Sequence, residues 1–223
     1  MENYGQVVRG RESALSTNKV LRNTYTLLSM SLLFSALMAG VSMAVGISQG
    51  MALGAMIAAI VLVWFVLPKF ENSAGGIAVV FAFTGLMGLS LGPMLSYYLA
   101  IPGGGNLVMT ALGGTGIIFL GLSGYALTTK KDFSFMGGFL FVGLMVVFGA
   151  ALLNIFLSIP ALSLAVSGGV ILLMSGLILF DTSRIVNGGE TNYIRATVSL
   201  YLNIHNLFVH LLHLLSVFAG GDD

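Results

Sequence analysis

Ser199-Leu200-Tyr201-Leu202-Asn203-Ile204-His205-Asn206-Leu207-Phe208-Val209-His210-Leu211-Leu212-His213 is an apolar run broken by polar side chains at regular steps. Ser199, Asn203, Asn206, His210 and His213 lie four, three, four and three residues apart. At about 100° per residue those steps keep all five within an arc of roughly 80° on one helix, a stripe about 21 Å long. Asp181 closes the apolar segment just before this one. At membrane depth such groups point into a bundle or a wet cavity, because exposure to lipid is costly. The helix carrying the stripe is therefore expected at the centre, with the other spans packed around it.

Composition places the chain in a bilayer. Of 223 residues 57% are hydrophobic and 8% charged, with a mean hydropathy of +1.00, whereas about a quarter of the residues of a soluble domain are charged. The net charge of +1 offers no electrostatic footprint for nucleic acid. With no cysteine there are no disulfides, thiolate metal sites or thiol nucleophiles.

Residues 1–23 are polar, carry Arg9, Arg11, Lys19 and Arg22 with Glu2 and Glu12, and read as a mobile cytoplasmic tail ahead of a membrane domain over residues 24–223. The apolar run that follows is too long for a cleaved secretory signal, so it is expected to be retained. Hydropathy and turn signals then give spans over about 25–45, 51–67, 76–95, 107–127, 135–156, 162–180 and 196–218. The second ends at Pro68, beside the interface aromatics Trp64 and Phe65. The third carries Gly85, Gly88 and Gly92, and the fourth Gly113, Gly116, Gly121 and Gly124, spacings that favour close helix contact. Pro93 is expected to kink or end the third. The fold class is an all-α integral membrane protein of seven transmembrane helices, six surrounding a central seventh.

Seven crossings fix the orientation once the nine basic residues are placed. Four lie in the tail, one in the second-to-third loop, two in the fourth-to-fifth loop and two in the sixth-to-seventh connector, and the opposite side has none. The positive-inside rule then puts the N-terminus and Asp181 on the cytoplasmic side and the C-terminus in the periplasm of a multi-pass inner-membrane protein.

Chemistry is sparse. There is no phosphate-binding Gly-Lys-Ser/Thr loop and no His-Glu-x-x-His, Ser123 is not in a nucleophile elbow, and no span holds two carboxylates. No catalytic residue, cofactor site or metal site is assigned. His210 and His213 share a face, but no second carboxylate or thiolate accompanies them, so they read as interhelical donors; His205 falls on the opposite face. The stripe admits two readings, hydrogen-bonding glue between helices or a wet path. Asp181 likewise either pairs with Arg184 or another cytoplasmic cation, or approaches Asn203 in a poorly hydrated site.

Phe180-Asp181-Thr182-Ser183-Arg184-Ile185, Ser199 to Phe208, Lys131-Asp132 before Phe133-Ser134-Phe135, and Asn154-Ile155-Phe156 together resemble the Bax-inhibitor transmembrane family, over essentially all of the chain after the tail. Two longer runs, Lys19 to Tyr25 and Gly188 to Tyr201, resemble an enterobacterial branch of it. The resemblance implies six helices wrapped around a seventh. It also implies an inner-membrane, non-enzymatic modulator of FtsH, a membrane-anchored ATP-dependent protease that grips the N-terminal tail and degrades the protein slowly. Arg9, Arg11, Lys19, Arg22, Arg184 and Arg195 are the tail and loop candidates for contact. Other members of the family leak calcium in a pH-dependent way through two aspartates. Asp181 matches the first; the second position is Asn203, an amide that accepts hydrogen bonds but does not titrate. The alternative reading, a calcium leak, would use Asp181, Asn203, Asn206, His210 and His213 as pore and pH-sensing residues.

Overall fold

A computed structural model describes residues 2–219, with side chains from residue 17 onward. Among the described residues all regular structure is helical, and seven helices are long and apolar enough to cross a membrane. We number them α1 (Glu2–Val45), α2 (Gln49–Phe70), α3 (Gly75–Ala100), α4 (Gly104–Thr129), α5 (Gly137–Leu157), α6 (Pro160–Val186) and α7 (Tyr193–Ala219). Their apolar composition sets their length, since a crossing takes about 20 residues.

The helices run further than hydropathy predicts. The apolar run of α1 begins near Tyr25, but the helix starts at Glu2, where the sequence suggests a mobile tail. No proline or turn signal interrupts residues 2–24, and adding a residue to an existing helix is far cheaper than nucleating one. Pro93 lies inside α3, which continues to Ala100, so it does not end that helix. Pro68 does not end its helix either, since α2 continues through it to Phe70. A π-turn over Leu62–Val66 precedes the proline, and the Leu67 N–H reaches back to the Leu62 carbonyl. Widening the turn is how a helix accommodates a ring that clashes with the carbonyl four residues back. Pro160 opens α6 rather than sitting in the turn before it, since its missing N–H has no partner to lose there.

The chain divides into two compact units, one of residues 1–97 with 185–201 and one of residues 98–184 with 202–223. In the first, α1 and α3 approach closely. A Cβ on Gly85 would stand 2.8 Å from the Phe34 ring, and one on Gly88 or Gly92 would run into the Ser35 carbonyl or the Ser42 side chain. The Ser42 hydroxyl donates to the Leu89 carbonyl at 2.7 Å. Tyr201 of α7 is buried edge-on against Phe83, and its hydroxyl meets Ser35 Oγ at 2.6 Å.

In the second unit α5 and α6 pack through glycines. Leu173 fills the space beside Gly143, and Leu140 the space beside Gly176. The glycine face of α4 behaves differently from that of α3. A Cβ at Gly113, Gly116, Gly121 or Gly124 would meet nothing within 4 Å, so the expected close helix contact is absent there, and the buried residues of α4 are Gly104, Ala111, Thr115, Ser123 and Ala126 instead. Small residues permit close approach without compelling it. Within the first unit Thr197 and Leu200 of α7 are fully buried, and within the second Leu207 and Leu212 are.

Candidate functional site

Asp181 does not close its helix, because α6 continues to Val186. Its carboxylate accepts a 2.8 Å hydrogen bond from the Asn203 amide of α7. Asn203 is buried and Asp181 half-buried. The next two residues bind elsewhere in the same unit. Thr182 Oγ1 lies 3.3 Å from the Ser123 hydroxyl of α4. Ser183 Oγ donates to the Lys131 carbonyl and accepts from the Phe133 N–H, both at 2.9 Å. Successive helical residues are rotated by about 100°, so three neighbours face three different elements. Arg184, the partner the sequence offers for Asp181, carries its guanidinium 5.6 Å from the centre of the Phe180 ring.

The α4–α5 connector held by Ser183 is itself ordered locally. Asp132 Oδ1 accepts the Ser134 N–H at 2.8 Å, and its bonding to Ser134 holds the carboxyl below the usual range.

About 21 Å further along α6, at 1.5 Å per residue, Ser167 gathers both histidines of the stripe. Its hydroxyl lies 3.0 Å from His213 Nδ1 and 3.2 Å from His210 Nδ1. One hydroxyl has one hydrogen, so with both rings neutral one Nδ1 accepts and the other donates. Among the described residues no group of three His, Asp or Glu side chains is arranged to hold a metal ion. His205 is half-buried.

Between these two ends the polar character lapses. Asp181, Ile178, Met174, Ile171 and Ser167 share one face of α6 at steps of three and four, and Ile178 and Met174 are buried and apolar. On α7, Asn206 turns back and donates to the Leu202 carbonyl of its own helix at 2.8 Å. Ser199 is half-buried in the first unit. The stripe is thus resolved into two hydrogen-bonded clusters, one at each end of the α6–α7 pair, with an apolar layer between them on α6.

In the first unit, the α2–α3 loop and the start of α7 meet at Arg195. It bridges Glu71 at 3.3 Å and Glu190 at 3.1 Å while about half exposed. Asn192 adds bonds to the Glu71 carbonyl and the Asn72 side chain, both at 3.0 Å. Glu71, Asn72, Asn192 and Arg195 line a groove of ≈ 520 Å³. Lys19 and Arg22 are exposed. The side chains of Arg9 and Arg11 lie outside the described residues.

Sequence reading missed the hydroxyls. Ser167, Ser123 and the pair Thr182 and Ser183 supply most of the partners at these clusters. Thr24, Ser31, Ser35 and Ser42 form a further buried row on α1. Their spacing of seven, four and seven is the available signal; an apolar-versus-charged reading passes over it because Ser and Thr also satisfy themselves on their own helix.

Comparison with known proteins follows the same length of chain. A family model described as inhibitor of apoptosis-promoting Bax1 matches residues 17–220. The chain is 56% identical over 211 residues to an uncharacterized membrane protein of Vibrio cholerae, covering 95% of each. It is 50% identical over 213 residues to the modulator of FtsH protease YccA of Escherichia coli K12, again covering 95% of each. An uncharacterized protein of Pseudomonas aeruginosa is 47% identical over 209 residues, covering 92% of this chain and 91% of that one.

Proposed function

The chain belongs to the Bax inhibitor family, and from that premise we propose that it is a multi-pass inner-membrane protein that modulates the protease FtsH without being an enzyme. The observation that carries this reading is the 50% identity, over 95% of both chains, to a relative named for that activity. Its N-terminus is cytoplasmic and its C-terminus periplasmic, in keeping with the nine basic residues falling on one side of seven crossings.

A processive protease needs a segment it can unravel before it pulls on a packed bundle. Residues 2–16 lie at the end of α1 ahead of its apolar run, and helix ends open more readily than a packed core. The protease takes this end as its handle and is then held back by the bundle. Arg9, Arg11, Lys19 and Arg22 give the segment its charge. Slow unfolding against bonds such as Asn203 to Asp181 and Ser183 to the α4–α5 connector occupies the protease and spares its other substrates.

The calcium leak ranks second. That route needs two titrating carboxylates, and here the partner of Asp181 is an amide presenting its N–H side. Deleting residues 2–16 tests the reading. The truncated protein is expected to insert normally, co-purify less with FtsH and persist longer in cells. Unchanged lifetime with no FtsH association in the full-length form would overturn it.

A further inference from the structure

The second unit concentrates its basic residues at one end. Among its described residues, Lys130, Lys131 and Arg184 are the only lysines and arginines, and the Ser183 bonds to the Lys131 carbonyl and the Phe133 N–H fix the two lysines beside the residue next to Arg184. The lysines are exposed and lie directly after α4 ends at Thr129, where a transmembrane helix leaves the hydrocarbon. Next in the chain, Phe135 in the turn before α5 and Phe139 in its first turn are 80% and 74% exposed.

Lys130 also sits in the left-handed region, with φ 52 and ψ 21, as the residue that ends α4. Glycine is the usual residue there because a Cβ strains that conformation. Two helices of this unit end on a non-glycine residue in that region, α4 on Lys130 and α5 on Ser158, and of the two only Lys130 is charged. The one carboxylate on the connector, Asp132, is engaged by the Ser134 N–H.

We propose that Lys130, Lys131 and Arg184 form a binding site for the phosphate headgroup of an anionic phospholipid, whose acyl chains lie along Phe135 and Phe139. This goes beyond modulation of a protease and does not depend on it. Phosphate matches three cations whose backbones the Ser183 bonds hold at one end of the unit, and the exposed rings that follow in the chain match acyl chains rather than water. Cations near a membrane surface each contribute about a fivefold increase in affinity for anionic lipid.

The test uses the full chain in detergent, titrated with phosphatidylglycerol, phosphatidylcholine or inorganic phosphate and read by native mass spectrometry and melting temperature. The wild type is expected to retain phosphatidylglycerol adducts and melt higher with that lipid, but not with phosphatidylcholine or phosphate. Lys130→Gly with Lys131→Gln is expected to weaken retention by about thirtyfold. The glycine removes the strain at position 130, so a loss of binding is not a loss of fold. Lys69→Gln, at the exposed end of α2, is the charge control and is expected to retain the lipid. Equal retention of the two lipids, an equal effect of inorganic phosphate, binding that survives the double change, or an equal loss in Lys69→Gln would each overturn the proposal.

Discussion

Replacing Asn203 with Leu removes the amide donor from Asp181 while keeping a side chain of similar volume in a buried position. A hydrogen bond to a charged group contributes about 1.5–3 kcal/mol in water-soluble proteins, whereas bonds between membrane helices average about 0.6 kcal/mol because the unfolded chain finds other partners. Asp181 is half-buried, so we place the loss between these limits, at about 1–2 kcal/mol. Asn206→Leu gives up only a bond to the backbone of its own helix and is expected to cost less than about 0.5 kcal/mol. The assay is thermal stability in detergent, run as a double-mutant cycle with Asp181→Ala, which removes the acceptor. A coupling of about 1 kcal/mol between positions 181 and 203, and none between 181 and 206, is expected. If Asn206→Leu destabilised as much as Asn203→Leu, or the coupling were zero, the placement of the stripe would be wrong.

Ser167→Ala strips one partner from each of two imidazoles, so its cost should exceed that of His210→Phe or His213→Phe alone, and the three changes should be non-additive in melting experiments. Gly88→Ala and Gly92→Ala force the α1 and α3 backbones apart and should each cost about 1–3 kcal/mol. Gly116→Ala, with open space beside it, should be neutral or stabilise by up to about 1 kcal/mol; equal melting of these variants would contradict the packing. Because the chain has no cysteine, cysteines at Lys130 and Gly189 should resist an impermeant thiol reagent in intact cells while cysteines at Ser48 and Gly105 react. The reverse labelling pattern would invert the orientation.

The spans were legible because each is long, apolar and free of charge, and the family because its residue runs are long. Their ends were not. Hydropathy stops the sixth helix at Asp181, but a charged residue at the headgroup level remains helical when Thr182 and Ser183 have partners to bind. The polar face of α7 was legible from its period, and the approach of Asn203 to Asp181 was one of two readings left open beside a pairing with Arg184 or another cation. The interruption of that face was not legible, because an Asn turned onto its own backbone and an Asn reaching across to α6 have the same spacing. Glycine spacing likewise marked α3 and α4 alike, although Gly85, Gly88 and Gly92 of α3 meet a facing helix and Gly113, Gly116, Gly121 and Gly124 of α4 do not.

The bond from Asn203 to Asp181 joins residues 22 apart in the chain, and this separation sets an order of assembly. At a synthesis rate of about 5–20 residues per second, Asp181 leaves the ribosome about 1–4 s before Asn203 does. Thr182 and Ser183 find their partners in α4 and the α4–α5 connector, both made earlier. The carboxylate between Phe180 and Thr182 therefore waits for the last helix. The nascent protein passes through an interval in which six spans are present and the Asn203 donor has yet to arrive, and only insertion of α7 ends it.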